Sequence, residues 1–478
     1  MPNILPWPRK QATERVRLAE IARDLAKNNQ RLFAPPYSSE LEIKVAELSS
    51  QGAETFCFYN EGEFREHLSI YHDPATRDSP KNDDSGDTRD GEMRASMFII
   101  EPAYGWGHLA ITRDGMTSLL TSLDASPSIY RYLTAFGRKR FARDEGFAGF
   151  GSDITLDSSG TLVSFELCYL LKYMALREDA TPGTNPWSIR HALIHQKINL
   201  ASNRVSNLLI RIPPNIADLL GDITKENHET RDLARDWTWL HIQCLSSVDH
   251  GLRQSINYLD DEITKFFDRV IMSALDTVKL NDFDPPEQMS KDLKTLQYFS
   301  DQARRIINVI ELNLETIRHL QSEVVGLKAM ASLGPTHGPS ADVLCSFLEK
   351  IQREHNFSLK SSSAVLGRVK GTFEQLRDMA SLRSSEISKM TSEQTNMSTV
   401  NTAAMAQFAE QSSREAHVVK TLSPRLGLCA SFIRGEQEEP MRWAAKADLK
   451  IYATLAIPLI GVTMLIYGCV KMMQRKRK

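Results

Sequence analysis

The stretch LRQSINYLDDEITKFFDRV, Leu252 to Val270, decides how the rest of the chain reads. Its apolar residues Leu252, Ile256, Leu259, Ile263, Phe266 and Val270 are spaced alternately four and three apart. On a helix that spacing gathers all six on one face, a heptad seam that must pack against another helix. A strand would need strict alternation, which is absent. A long helix is predicted.

Downstream the theme repeats. Ala303, Ile307, Ile310, Leu314, Ile317 and Val324 mark a second helix, so 232–333 reads as two long heptad-bearing helices. GPTHGPS (Gly334–Ser340) is a turn signal. A third helix is expected to start near Asp342, with Leu366, Val369, Phe373 and Leu376 at heptad spacing. Beyond Arg383 the seam thins to Ser, Thr, Gln, Asn and Met, yet no Gly or Pro intervenes before Pro424. Residues 341–421 therefore read as one stalk helix. A helix that is polar all round is not stable alone, so it should bundle with the other two helices or with copies of itself. A plain intramolecular three-helix bundle is the alternative.

Beyond the stalk, Ile451 to Val470 is twenty residues without a charge, bracketed by Lys450 and Lys471. At about 1.5 Å per residue it matches the thickness of a hydrocarbon core. Residues 451–470 are therefore expected to form a transmembrane helix, with Tyr452 and Tyr467 at its interfaces. The tail 471–478 is basic, and the positive-inside tendency would keep it cytosolic. With one span, that places the large N-terminal part outside the cytosol, although no secretory signal is read in MPNILPWPRKQATERVRLAEIARDLAKNNQ. A second, degraded span at 422–435, weakened by Pro424, Arg425 and Arg434, would leave both ends cytosolic. A tail-anchored chain with its tail facing away from the cytosol is the rival topology. Between the two spans, 436–450 runs from acidic to basic. Gly435, Glu436, Glu438 and Glu439 form either an acidic surface linker or a pore mouth that concentrates cations.

Upstream of the helices, residues 1–231 read as mixed α and β. Glu54–Tyr59, Ala95–Glu101 and Val205–Ile212 are short, apolar and strand-favouring, with helices expected at Asp114–Leu123 and Tyr130–Arg140. The N-terminal region 1–94 carries an acidic loop, 74–93, and residues 95–231 complete the domain. Asp83, Asp84, Asp87 and Asp90 miss the spacing of a helix-loop-helix calcium site, so the loop reads as a solvated insertion. The fold class expected is thus an α+β cytosolic domain, a long helical bundle or stalk, and a C-terminal transmembrane helix.

Composition narrows function. A net charge of −2 and a pI near 6.7 give no basic face for nucleic acid. Six scattered cysteines without a C-x-x-C pair argue against a disulfide scaffold. His191 and His195 would share a metal on a helix; on a strand their rings lie about 13 Å apart. Without the glutamate of H-E-x-x-H the pair reads as structural. GFAGFGSD (Gly146–Asp153) matches neither a phosphate loop nor a dinucleotide fingerprint. No nucleophile–base set is found, so no enzyme activity and no cofactor are expected.

Several blocks carry a likeness. They are MFIIEPAYGWGHLAITRDGM (Met97–Met116), YLTAFGRKRFARDEGFAGFGSD (Tyr132–Asp153), FELCYLLKYM (Phe165–Met174) and NPWSIRHALIHQKIN (Asn185–Asn199). In that order, ahead of a stalk, they resemble the CorA-like proteins of filamentous fungi, a divergent branch of the CorA-type magnesium transporters. The resemblance implies a homo-oligomer, pentameric in the parent family, in a lipid bilayer, moving or sensing Mg²⁺. It also implies selectivity from a Gly-Met-Asn motif closing the first span. Here that place reads Gly435-Glu436-Gln437. The alternative function is a membrane-anchored coiled-coil interaction protein without transport.

Overall fold

The computed structural model describes residues 15–422 apart from 37, 39, 50–51, 73–93, 103–106, 139–146, 178–179, 182–184, 224–235, 276–285 and 331–333. The acidic loop 74–93, the weak span beyond Leu422, the loop 436–450, the apolar run 451–470 and the tail 471–478 lie outside the described residues. Among the described residues, no helix is long and apolar enough to cross a membrane. The chain divides into two units, Met1–Glu386 and Ile387–Lys478.

In the first unit a seven-stranded sheet forms the middle layer. The chain order is α1 (Arg15–Leu32), β1 (Phe33–Ala34), β2 (Ile43–Ser49), β3 (Gly52–Phe58), α2 (Glu61–His72), β4 (Arg94–Ile100), β5 (Leu109–Thr112), α3 (Arg113–Ser122) and α4 (Tyr130–Leu133). Then follow β6 (Gly149–Leu156), β7 (Leu162–Leu176), β8 (Trp187–Asn199), β9 (Arg204–Ile210), α5 (Pro214–Ile223), α6 (Trp239–Leu275), α7 (Pro286–Ala329) and α8 (Gly334–Leu422). The sheet order is β3-β2-β4-β9-β8-β7-β6, antiparallel except for the parallel pair β4–β9. β1 and β5 pair separately.

Both faces of the sheet are covered, because its central strands are apolar on both sides. On β4, Ala95, Met97 and Ile99 join the core beneath α5, α6, α7 and α8, while Phe98 and Ile100 join the core beneath α1, α2 and α3. β7 divides likewise, Phe165, Leu167 and Tyr169 on one side and Cys168 and Leu170 on the other. Fully burying each such aliphatic or aromatic side chain contributes roughly 1.5–3 kcal/mol. Strands with two buried faces lose the polar alternation that marks a half-exposed strand, so FELCYLLKYM reads as an undivided apolar run.

The heptad seam of α6 is buried as its spacing predicts: Leu252, Ile256, Leu259, Ile263 and Phe266 all face the core. On α7, Ala303, Ile310, Leu314, Ile317 and Val324 are buried, while Ile307 is half-buried and Ile306 is buried instead. The third helix departs from expectation. α8 begins at Gly334, so GPTHGPS lies within its first turns and Pro339 is inside the helix. Pro335, the second residue of α8, falls where backbone N–H groups have no intrahelical partner, whereas Pro339, the sixth, removes one intrahelical hydrogen bond. Val369 and Leu376 are buried, Leu366 half-buried, and Phe373 exposed. The helix expected at Tyr130–Arg140 is a single turn, Tyr130–Leu133, after which Gly137 takes a φ of 88°. A Cβ there would lie 2.5 Å from the Arg31 carbonyl oxygen, so only glycine fits.

Candidate functional site

The residues singled out by sequence fall in three places. Gly435, Glu436, Glu438 and Glu439 lie outside the described residues. His191 and His195 sit on β8. As i and i+4 on one strand they share a face but not a site. The His195 Nε2 lies 2.8 Å from Glu166 Oε1 on β7. Both Glu166 oxygens also accept the backbone N–H of Ser126, at 3.0 Å. Burial opposes the charge on Glu166, but His195, Lys197 and the Ser126 N–H together outweigh it and hold its carboxyl below its ordinary range. His191 packs on the Phe136 ring, centroids 4.5 Å apart. Among the described residues no group of three His, Cys, Asp or Glu side chains is placed to hold a metal ion.

GFAGFGSD proves to be a packing motif. Gly149 and Gly151 lie on β6, and a Cβ on Gly151 would come 2.7 Å from the Tyr132 hydroxyl oxygen. The glycines let Tyr132 lie across the strand, with Phe147 tilted against its ring at 5.9 Å. That is a structural reason for glycine, not a phosphate cradle.

On the opposite face of the sheet runs a buried polar chain that sequence reasoning missed. The Tyr169 hydroxyl meets His241 Nδ1 at 2.5 Å, and His241 Nε2 meets Gln196 Oε1 at 2.9 Å. Gln196 Nε2 then donates to Asn207 Oδ1 at 3.0 Å and to the Trp237 carbonyl at 2.8 Å. Since Gln196 Oε1 can only accept, His241 carries its proton on Nε2 and accepts from Tyr169 at Nδ1. Burial holds the His241 pKa down to about 3, which keeps the ring neutral, and pushes the Tyr169 hydroxyl well above its ordinary value. The chain ties β7, β8 and β9 to the start of α6. The sequence signal for it was only polar residues at inward positions of apolar strands, and that does not name partners.

The remaining candidate is the exposed part of α8. Ile387, Met390, Met397, Val400, Met405 and Phe408 are 55–74% exposed. At 100° per residue they fall within a single face about 140° wide. The threonines lie elsewhere, and Thr391, Thr395, Thr399 and Thr402 each return their hydroxyl to the carbonyl four residues back. The helix is therefore amphipathic where its sequence looked uniformly polar. Single exposed apolar residues are ordinary, but six on one face, which also carries Glu393, Gln394 and Asn401, mark a candidate place of association.

The family of CorA-like transporters matches residues 7–271, more than half of the chain. The chain belongs to the CorA-like family. The CorA-like assignment covers the α+β part and α6 as far as residue 271, and the long helices α7 and α8 follow it. Two solved structures are similar to this CorA-like chain. Full-length CmaX is 13% identical, with a TM-score of 0.40, covering 91% of this chain and 98% of its own. The cytoplasmic domain of ZntB from Vibrio parahaemolyticus RIMD 2210633 is 11% identical, with a TM-score of 0.35, covering 70% of this chain and 99% of its own. No curated protein matches.

Proposed function

We propose that this CorA-like chain is one subunit of a homo-oligomeric membrane protein that passes a divalent cation, with Mg²⁺ the first candidate. The observation that supports this reading best is the exposed apolar face of α8. Positions at four–three spacing run on from Val369 through Phe373, Leu376 and Ala380 to Ile387, Met390, Met397 and Phe408. From Ile387 onward none of them is buried within one chain. Packed against copies of itself, the face from Ile387 to Phe408 would form a bundle whose polar positions, Gln394 and Asn401, are self-complementary amides, with Arg383 breaking the seam just above it. The apolar run 451–470 would fix such a bundle in a bilayer, with residues 1–386 on the cytosolic side. Glu436, Glu438 and Glu439 would then draw cations to its mouth by their summed field.

A second reading rests on a specific departure. Gly435-Glu436-Gln437 stands where the family's Gly-Met-Asn motif is expected, which favours a membrane-anchored assembly protein that no longer conducts. Purified full-length protein in liposomes loaded with a magnesium-sensitive dye separates the two. Flux that follows an imposed Mg²⁺ gradient, and that falls when Glu436, Glu438 and Glu439 are changed together to glutamine, supports transport. An oligomer of correct mass with no flux leaves the assembly reading in place.

A further inference from the structure

The buried positions of α8 keep a three–four spacing from Ala341 to Leu376, and three in the middle are polar: His355, Ser358 and Ser362. His355 is fully buried, yet neither of its ring nitrogens has a hydrogen-bond partner among the described residues. Opposite it on α6 stands Asp249, its Oδ1 3.4 Å from His355 Nδ1 and also without a hydrogen bond. The other oxygen of Asp249 is held by Arg253 Nε at 2.8 Å, and Arg253 Nη2 reaches Glu354 Oε2 at 2.5 Å. The four side chains are thus linked in a row from the core outward: His355, Asp249, Arg253, Glu354.

The charges in that row do not balance. Two carboxylates share one guanidinium, which leaves a net negative charge whose inner end is almost wholly desolvated. A buried carboxylate without full compensation is costly, and an adjacent cation relieves that cost. Imidazole is the side chain whose charge changes between about pH 5 and 8. One proton on His355 gives the row alternating signs, +, −, +, −, and supplies a charged donor for the idle Asp249 Oδ1.

The buried residues of α7 include the apolar Val309, Ile310, Leu314, Ile317 and Leu320 and two polar ones, Asn313, committed to the backbone of Lys172, and Thr316, whose hydroxyl returns to the Leu312 carbonyl. On β7 the Tyr169 hydroxyl is committed to His241, and on α6 His250 is engaged by Gln254 on the exposed side. We propose that His355 and Asp249 form a proton-binding site that sets how tightly α8 is held to α6, tight when protonated and loosened when not. The site does not depend on whether the chain transports, and its test reads only the helix contact.

Full-length protein in lipid nanodiscs is compared at pH 5.5 and pH 8.0 by hydrogen exchange, with rates corrected for the intrinsic effect of pH. The wild type should show about tenfold greater protection of 348–365 at the lower pH, the change expected from about 1.4 kcal/mol. H355Q removes the titrating group and should abolish the difference, whereas D249N removes its counter-charge and should abolish or reverse it, because a buried imidazole without a carboxylate resists protonation. D249N stands as the test if H355Q does not fold. Equal protection of the wild type at both pH values overturns the proposal, as does a pH difference of the wild-type sign that survives in either variant.

Discussion

The side-chain amide of Asn313 on α7 takes both backbone groups of Lys172 on β7. Its Oδ1 accepts the Lys172 N–H at 2.9 Å and its Nδ2 donates to the Lys172 carbonyl at 2.7 Å. β6 pairs along β7 only as far as Gly149↔Leu170, whereas β8 continues on the other edge to Leu176↔Trp187. At Lys172 the ladder has run out on one side, and Asn313 stands in for the missing strand. It is 1% exposed, so water cannot take that role. Asn313→Ala leaves a buried N–H and a buried C=O unpaired, at about 1–3 kcal/mol each. A loss of about 2–6 kcal/mol is expected in urea unfolding. Asn313→Asp should also destabilise, because a carboxylate accepts but cannot donate. An unchanged midpoint for both variants would show that the contact carries no weight.

Gly251 gives a prediction whose sign runs against helix propensity. In an exposed helix, Gly to Ala stabilises by about 1 kcal/mol. On α6 a Cβ at position 251 would lie 2.8 Å from the carbonyl oxygen of Met174, a backbone atom of β7. A strand paired within a sheet cannot yield as a flexible side chain can, so Gly251→Ala should destabilise by about 1–3 kcal/mol. Thermal unfolding decides it, and a raised Tm would mean that α6 can lift off the strand at little cost.

His241 makes stability fall in acid. Its folded pKa, about 3, lies below its ordinary value of 6.5. Its contribution is therefore complete above pH 6.5 and is lost as the unfolded chain takes up the proton, by at most about 1.4 kcal/mol per pH unit down to about pH 3. Glu166, held below its ordinary range, adds the same sign. Glu101 opposes it: burial raises its carboxyl to about 7, so it stabilises below its ordinary value and that contribution is lost as pH rises towards 7. The quantity to measure is the difference in slope between wild type and His241→Gln from pH 7 to 5. The variant should lose less stability over that range than the wild type.

Met397 and Phe408 test the association face. Both are about 70% exposed in one chain, so Met397→Lys with Phe408→Lys should leave the unfolding of the rest unaltered. In detergent the mass measured by light scattering should drop to that of one chain. An oligomer that keeps its mass places the contact elsewhere.

Periodicity carried the helical half of this protein because a heptad seam is a local property: Leu252, Ile256, Leu259, Ile263 and Phe266 announce their shared face whatever they pack against. Strand Ala95–Glu101 was legible for another reason, as a short apolar run of strand-favouring residues, shifted by one residue from Arg94–Ile100. β7 and β8 were not, since at 15 and 13 residues they are longer than a short apolar run and, buried on both faces, carry no alternation. The helix was expected to begin near Asp342 because Gly and Pro signal turns on average, yet at a helix start they cost little. Even the amphipathy of the stalk hid behind its composition, because threonines that return their hydroxyls to their own backbone count as polar without seeking a partner.

The sequence alone determined that long helices follow an α+β domain, since spacing along the chain sets which side chains share a face. It also carried the family likeness, borne by blocks such as Asn185–Asn199. Only the tertiary structure decided which polar residues meet: Asn313 with Lys172, His241 with Tyr169 and Gln196, His355 with Asp249. Those partners are 45 to 141 positions apart, and hydrogen bonds and charges act over a few ångströms of space, which no local pattern records.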